Sequence, residues 1–161
     1  MIEFVTTIEN FWTQDLENHS YARKTEFVAK NFDHLKKEYY DKNYILQSFD
    51  DELPCANKFK QSLSVEQGSV SWTCLLPNVI LPTHNDRFYT LRQNYSFKIE
   101  NCVRYLVFLE DWLMGQYVGF QNNNIIQWKT GDVYKFDHTE IHFAVNASNE
   151  PFHTCQVSTG I

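Results

Sequence analysis

The stretch that decides the fold runs from residue 102 to residue 136 and reads CVRYLVFLEDWLMGQYVGFQNNNIIQWKTGDVYKF. Runs of β-branched and aromatic residues alternate in it with clusters of Asn, Gly, Asp and Thr. This pattern indicates short strands joined by tight turns. Turns are predicted at Asn122–Asn124 and Lys129–Asp132. The strands predicted around them are Cys102–Leu109, Tyr117–Gln121, Ile125–Trp128 and Asp132–Phe136.

The same pattern continues on both sides of this stretch. Further strands are predicted at Ser69–Leu76, Phe88–Leu91, His142–Asn146 and Thr154–Ser158. Eight short strands within about 90 residues are typical of an antiparallel sandwich or barrel of the jelly-roll or cupin kind. The sequence has no strand–helix–strand alternation and no glycine-rich phosphate loop, which argues against a nucleotide-binding α/β fold.

The chain changes character near residue 65. The part before it is polar and is predicted to be mostly helical, with helices packed on the β core. The positions with the clearest helical spacing are Val28, Phe32, Leu35 and Tyr39. A length of 161 residues fits one domain. We therefore expect a single domain over 1–161, with a helical part over 1–65 and the β core over 69–160.

Composition narrows the class of protein. The formal charge of −6 gives no general attraction to nucleic acid or to anionic lipid. No apolar run approaches the ~20 residues of a membrane span, and no signal peptide is visible at the N-terminus. The cysteines, Cys55, Cys74, Cys102 and Cys155, form no Cys-x-x-Cys pair, and we expect them to be reduced and mostly buried. These features together predict a cytoplasmic protein that binds neither nucleic acid nor membrane.

A candidate metal site lies in two separate segments. His84 and Asp86 are two residues apart, a spacing that places both side chains on one face of a strand. His142 follows several predicted strands later. Two histidines and one carboxylate leave about three coordination positions open, which suits the oxygen chemistry of Fe(II). Zinc is the second choice, because it favours a closed tetrahedral set or three ligands plus water.

Several motifs in order along the chain resemble the 2-oxoglutarate/Fe(II)-dependent oxygenases. The likeness is greatest to the small aspartyl/asparaginyl β-hydroxylase-like hydroxylases of bacterial and phage genomes, and it covers roughly 69–160. The motifs that carry it are Leu81–Asp86, Arg104–Trp112, Gly115-Gln116, Trp128–Asp132 and His142–Asn146.

The resemblance implies both a fold and a chemistry. The fold of that family is a double-stranded β-helix, and the ligands of its Fe(II) would correspond here to His84, Asp86 and His142. The implied cosubstrates are 2-oxoglutarate and O₂. The implied reaction hydroxylates a C–H bond of the substrate and converts 2-oxoglutarate to succinate and CO₂.

The cosubstrate site departs from the family pattern. The distal carboxylate of 2-oxoglutarate needs a cation, and many relatives supply an arginine directly after a proline that follows the last ligand. Here Pro151 is followed by Phe152. Arg104 is the best replacement, because a charge within an apolar strand needs an anionic partner. The alternative is a structural pairing of Arg104 with Asp111, Glu110 or Asp132.

Two further residues are predicted to bind the cosubstrate. Asn146 lies in the last motif, where a role in a strand-end turn is the alternative. Thr154 alternates with Gln156 on one strand face and is expected to line the pocket.

The substrate is not specified by the sequence, and a small molecule or a peptide side chain suits so small an enzyme. The competing interpretation is a cupin-like metal- or ligand-binding protein without 2-oxoglutarate turnover, which the absence of an arginine after Pro151 favours. A metal-dependent cupin enzyme of another reaction type fits less well, since such cupins usually bring three histidines and a glutamate.

Overall fold

The fold is given by a computed structural model that describes residues 1–26 and 44–161. Its strands are β1 Glu3–Thr7, β2 Arg23–Glu26, β3 Tyr44–Phe49, β4 Gly68–Leu75, β5 Val79–His84, β6 Cys102–Phe108, β7 Gln116–Phe120, β8 Asn123–Ile125, β9 Asp132–Asp137, β10 His142–Asn146 and β11 Phe152–Gly160. Its α-helices are α1 Thr13–Glu17, α2 Ala56–Ser62 and α3 Tyr89–Tyr95. The helix predicted around Val28, Phe32, Leu35 and Tyr39 lies outside the described residues. None of the helices described is long and apolar enough to cross a membrane.

The strands form two antiparallel sheets. The larger sheet has the order β1-β9-β6-β11-β4-β3-β2, and the smaller one has the order β5-β10-β7-β8. From β4 onward, successive strands alternate between the two sheets except for β7 and β8, which are neighbours in the smaller one, and each sheet receives four of the eight core strands. This strand order is that of a double-stranded β-helix, so the predicted jelly-roll fold is confirmed.

Most of the predicted core strands are confirmed to within two residues. The strand predicted at Phe88–Leu91 is wrong, because α3 begins at Tyr89. The strand predicted at Ile125–Trp128 is also displaced, since β8 ends at Ile125. The sequence analysis did not predict β5, whose Pro82 is tolerated because β5 is an edge strand of the smaller sheet.

The N-terminal part differs from the prediction of a mostly helical segment. Within 1–26 and 44–65, the structure has three strands, β1, β2 and β3, and two short helices, α1 and α2. The strands extend the larger sheet at both edges. Trp12, which directly precedes α1, and Phe59 of α2 belong to one core layer. The pairing partners of these strands lie far along the chain, and local periodicity does not reveal them.

Two apolar layers hold the sheets in place. The first lies between the sheets and contains Phe108, Trp128 and Phe152, with the Phe108 and Trp128 rings stacked 4.1 Å apart. The second lies on the outer face of the larger sheet under α1 and α2, around Trp12 and Trp72. All four cysteines are buried free thiols, as expected.

The turn before β9 depends on a glycine. Gly131 has φ +89°, and a Cβ atom there would overlap the carbonyl oxygen of Ile8. The backbone N–H of Ile8 also donates to Gly131 O at 2.9 Å, which ties the N-terminal segment to this turn.

Candidate metal centre

Two strands of the smaller sheet bring the two histidines together. His84 is the last residue of β5, and His142 is the first residue of the neighbouring strand β10. The two residues are register partners, and their ring centroids are 4.3 Å apart. Asp86 follows two residues after the end of β5 and turns back toward the same point. The ligand atoms of His84, Asp86 and His142 all lie within 4.8 Å of one another.

The backbone fixes which nitrogen of each histidine faces the centre. His84 Nδ1 lies 2.7 Å from the carbonyl oxygen of Pro82, and His142 Nδ1 lies 3.1 Å from that of Glu140. A carbonyl oxygen only accepts, so each Nδ1 carries the proton and donates it. The lone pair of each imidazole is therefore on Nε2. His84 Nε2 lies 3.9 Å from Asp86 Oδ1, inside the candidate centre.

Burial keeps His142 in the form that binds a metal. Its side chain is 7% exposed. Desolvation is the largest influence on its pKa, which falls to about 4, and the nearby Asp86 carboxylate opposes this shift. The imidazole is thus neutral at pH 7, as metal ligation requires.

The carboxylate that pairs with Arg104 is that of Asp86, and not one of the three acidic residues that the sequence suggested as structural partners. Arg104 Nη1 lies 2.9 Å from Asp86 Oδ2. This oxygen is buried and makes no hydrogen bond within the described residues, so the ion pair is its compensating contact. Arg104 Nε donates to Ser158 Oγ at 3.1 Å, and the guanidinium carbon lies 5.3 Å from the centre of the Phe88 ring. These contacts hold Arg104 beside the candidate metal position.

The turn after Asp86 is conformationally strained. Phe88 has φ +50° and ψ +36°, in the left-handed region, which costs a bulky residue about 1–3 kcal/mol. Its ring is buried at 5% exposure and lies against Arg104. The left-handed conformation of Phe88 directs its ring toward Arg104, which pairs with Asp86, and α3 begins at the following residue.

The side chains of His84, Asp86 and His142 fit a divalent metal. The two Nε2 lone pairs and the Asp86 carboxylate converge on one point. Asp86 Oδ2 is buried without a hydrogen bond, and it is compensated by the charge of Arg104 and, when bound, by that of a metal. Among the residues that the structure describes, no other group of three His, Cys, Asp or Glu side chains converges in this way.

The centre opens into a cavity of about 280 Å³ between the two sheets. Its apolar lining includes Leu81, Val118, Phe136 and Ala144 from around the histidines. Its polar lining comes mainly from the larger sheet. Within the described lining, Arg104 is the only lysine or arginine.

The residues predicted to bind the cosubstrate have different positions. Arg104 and Thr154 both line the cavity. Asn146 is fully buried at the far end of β10, where its amide donates to Leu75 O and Glu150 O, each at 2.8 Å. Its Oδ1 accepts from Ser148 N and Oγ. These contacts describe the strand-end turn that the sequence offered as the alternative.

Phe152, the residue that follows Pro151, also lines the cavity. It is 3% exposed and stacks on Trp128, with 5.1 Å between ring centroids. Two other arginines near the centre in sequence, Arg87 and Arg92, are exposed.

Sequence reasoning did not single out three polar residues of the cavity wall or the aromatic ring next to Arg104. Ser71 and Thr73 alternate on β4, and this spacing of two was a usable signal. Gln47 lies on β3, a strand that was not predicted, and Phe88 lies in a segment predicted with the wrong secondary structure. No sequence signal places Gln47 at the cavity or Phe88 next to Arg104.

Comparisons with known proteins give only remote likenesses. No family model matches the sequence, and no curated protein does. A predicted oxalate decarboxylase from Thermotoga maritima is 13% identical, covering 74% of this chain and 83% of that one, with a TM-score of 0.47. A sugar phosphate isomerase of the cupin superfamily from Silicibacter pomeroyi is 12% identical, covering 91% and 74%, with a TM-score of 0.48.

A third solved structure is the non-heme α-ketoglutarate-dependent epimerase SnoN from nogalamycin biosynthesis. It is 13% identical, covering 55% of this chain and 44% of that one, with a TM-score of 0.44. Likenesses of this strength do not transfer an activity. The fold assignment rests on the strand order of the two sheets. The chain is a mainly β protein with the double-stranded β-helix fold of the cupins and a candidate His-Asp-His metal centre between its sheets.

Proposed function

We propose that the protein is an Fe(II)-dependent oxygenase that uses a 2-oxo acid, with 2-oxoglutarate as the first acid to test. The observation that carries the proposal is the convergence of His84, Asp86 and His142 at a cavity between the two sheets. With O₂, this class of enzyme hydroxylates a C–H bond of its substrate. The cavity volume of about 280 Å³ suits a small molecule or a single peptide side chain.

The ligand set favours iron over zinc. Two imidazoles and one carboxylate on one side of a metal leave several positions open for other ligands. Zinc in structural sites takes four protein ligands, and the described residues bring together only three. When bound with a 2-oxo acid, Fe(II) supplies the activation of O₂ and the oxidation of the substrate.

Charge supports binding of an anion next to the metal. A divalent metal, one carboxylate, one guanidinium and two neutral imidazoles together carry a net charge of about +2. Asp86 and Arg104 are the only acidic and guanidinium side chains among the described residues that line the cavity. A 2-oxo acid that chelates the metal brings its C1 carboxylate to this excess positive charge.

The protein's own residues have distinct tasks in this proposal. The carbonyl oxygens of Pro82 and Glu140 orient the two imidazoles, so that little reorganisation is needed when the metal binds. Arg104 holds Asp86 in position and is near enough to meet an anionic ligand. The apolar side chains around His142, including Phe136 and Ala144, limit the access of water.

The second candidate function is a metal- or ligand-binding cupin-like protein without turnover of a 2-oxo acid. Phe152 favours it, because an aromatic ring lies where relatives carry the arginine that binds the distal carboxylate. In that case the centre would bind its metal and a different ligand.

An anaerobic titration distinguishes the two functions. The apoprotein is loaded with Fe(II), then titrated with a series of 2-oxo acids that includes 2-oxoglutarate, while visible absorption is followed. A weak charge-transfer band that requires both metal and acid is the expected result. If iron is bound and no acid gives the band, the second function replaces the first.

A further inference from the structure

One wall of the cavity is polar and carries no charge. It consists of Gln47, Ser71, Thr73, Thr154 and Gln156, which we call the polar wall. The last four belong to β4 and β11, where Thr73 is the register partner of Thr154 and Ser71 that of Gln156. Thr73, Thr154 and Gln156 are each at most 9% exposed. Polar side chains buried this deeply against a cavity need hydrogen bonds from one another or from a ligand.

Most of the hydrogen-bonding groups of the polar wall are already used within it. Gln156 Nε2 donates to Thr73 Oγ1 at 2.8 Å and to Thr154 Oγ1 at 2.7 Å, and Gln156 Oε1 accepts from Ser71 Oγ at 3.0 Å. The two threonine hydroxyls lie 2.7 Å apart. One of them donates to the other, so one hydroxyl proton of the pair is left over.

The groups left over are donors. Besides the threonine proton, the side-chain amide of Gln47 contributes its Nε2, which has no acceptor among the residues 1–26 and 44–161, while its Oε1 accepts from Thr25 Oγ1 at 2.6 Å. The polar wall therefore offers neutral N–H and O–H donors to the cavity. A ligand group that accepts hydrogen bonds is its complement.

Arg104 lies at the outer end of this wall, where it and Ser71 also line a second, smaller pocket. It is paired with Asp86 and bonded to Ser158, its register partner on β11. Thr154 is four residues farther along the same strand, a separation of about 13 Å at ~3.4 Å per residue. Beyond it comes the apolar end of the cavity, with Phe152 and Leu75. Among the described residues, no cation compensates a negative charge at this depth.

We propose that the inner end of the cavity selects a ligand with a neutral, hydrogen-bond-accepting terminus, and that it disfavours a second carboxylate there. This inference rests on the proposed function, in which a 2-oxo acid chelates the metal at the other end. An acid with a carbonyl group at its far end matches the spare donors. A free carboxylate would be buried without a counter-charge.

The test compares three 2-oxo acids on the Fe(II)-loaded protein without O₂. They are 2-oxoglutarate, its 5-methyl ester and 2-oxohexanoate, which end in a carboxylate, a neutral acceptor and an apolar group. Each titration is followed by the charge-transfer band and, independently, by calorimetry. We expect the ester to bind at least about tenfold more tightly than 2-oxoglutarate, a difference of about 1.4 kcal/mol. Binding of 2-oxoglutarate that equals or exceeds that of the ester overturns the inference.

The same titration tests the oxygenase function and the selectivity of the inner end separately. If the acids bind and 2-oxoglutarate is the tightest, the oxygenase function stands and the inference is wrong. If iron binds and none of the three acids does, the oxygenase function is wrong and the inference falls with it.

Two variants of the polar wall test the residues themselves. A combined variant, Thr73→Val with Thr154→Val and Gln156→Leu, replaces the donors of β4 and β11 by apolar groups of similar size. The ester should then bind about tenfold more weakly, and 2-oxohexanoate should bind no more weakly than before. Gln156→Lys adds a cation and should reverse the order in favour of 2-oxoglutarate. An unchanged preference in both folded variants contradicts a role of the wall in selection. The comparison of acids on the unaltered protein decides the inference even if Gln156→Lys does not fold.

Discussion

The guanidinium of Arg104 and the carboxylate of Asp86 lie 2.9 Å apart, although the two residues belong to opposite sides of the cavity. Arg104 is on β6 of the larger sheet, and Asp86 follows β5 of the smaller one. The pair thus links the two sheets at the candidate metal centre. It leaves Asp86 Oδ1 on the side of His84, at 3.9 Å from Nε2, and gives Oδ2 to the arginine.

This pair predicts a selective effect of removing the guanidinium. Arg104→Met should weaken the binding of a 2-oxo acid about tenfold or more and change Fe(II) affinity much less. The reason is that the acid loses the only guanidinium of the described lining, whereas the metal keeps its three ligands. Calorimetric titration of Fe(II), then of the acid, measures both affinities.

The matched control is Arg92→Met, which removes the same charge from the exposed face of α3. It should leave both affinities unchanged. Equal affinity for the acid in Arg104→Met and the unaltered protein would assign Arg104 a structural role alone.

The three proposed ligands predict loss of metal with retention of the fold. His142→Ala and Asp86→Ala should each lower Fe(II) affinity by more than ~100-fold, because contacts outside the ligand set alone are worth 10–100-fold. Thermal unfolding of the apoproteins checks the fold, and Asp51→Ala, at an exposed position, is the control. A metal affinity that stays unchanged in either variant would remove that residue from the site.

Asn146 yields a prediction about stability. Its side chain is fully buried, with the amide bonded to Leu75 O and Glu150 O and the Oδ1 to Ser148. Asn146→Ala would leave these groups without partners, so we expect a loss of about 2–3 kcal/mol in the free energy of unfolding. Urea unfolding measures it, with the exposed Asn122→Ala as the control.

The same variant also tests the cofactor role that the sequence suggested for Asn146. If the residue serves the turn alone, the folded variant binds Fe(II) and a 2-oxo acid as the unaltered protein does. Weaker binding of the acid with unchanged stability would instead place Asn146 in the cosubstrate site.

The sequence allowed prediction of the core strands and of the three candidate ligands for a physical reason. Strands such as β10, His142–Asn146, alternate between a buried and a half-buried face. A histidine on the buried face, such as His142, differs from the apolar residues expected there, and Asp86 was found by its spacing of two from His84. By contrast, all five residues of β1 are exposed, because it is an edge strand. Such a strand has no hydrophobic alternation to detect.

Tertiary contacts account for what local patterns missed. The apolar segment around Phe88 and Leu91 is short enough to fit a strand or a helix. In the structure Phe88 has a left-handed conformation, which ends the extended chain and is followed by α3. The pairing of Arg104 with Asp86 joins two sheets, so no spacing in the sequence encodes it. The polar wall likewise exists only because β4 and β11 are register partners.

His153 makes stability depend on pH at a place away from the metal centre. Its Nδ1 is hydrogen-bonded to the hydroxyl of Tyr21 at 2.7 Å, and desolvation is the main cause of the fall of its pKa from 6.5 to about 4. The unfolded chain therefore binds a proton at higher pH than the folded protein does. The stabilisation is complete above pH 6.5, and it is lost as the pH falls from 6.5 to 4.

We expect His153→Gln to reduce this pH dependence. Between pH 7 and pH 4.5, His153 should account for about 2 kcal/mol of the loss in unfolding free energy, from a shift worth ~1.4 kcal/mol per pKa unit. His142 has a similarly depressed pKa and contributes in the same range, so the variant should keep part of the dependence. Urea unfolding of both apoproteins at the two pH values measures the difference. If the two proteins lose the same free energy on acidification, the imidazole of His153 is not kept neutral by its burial.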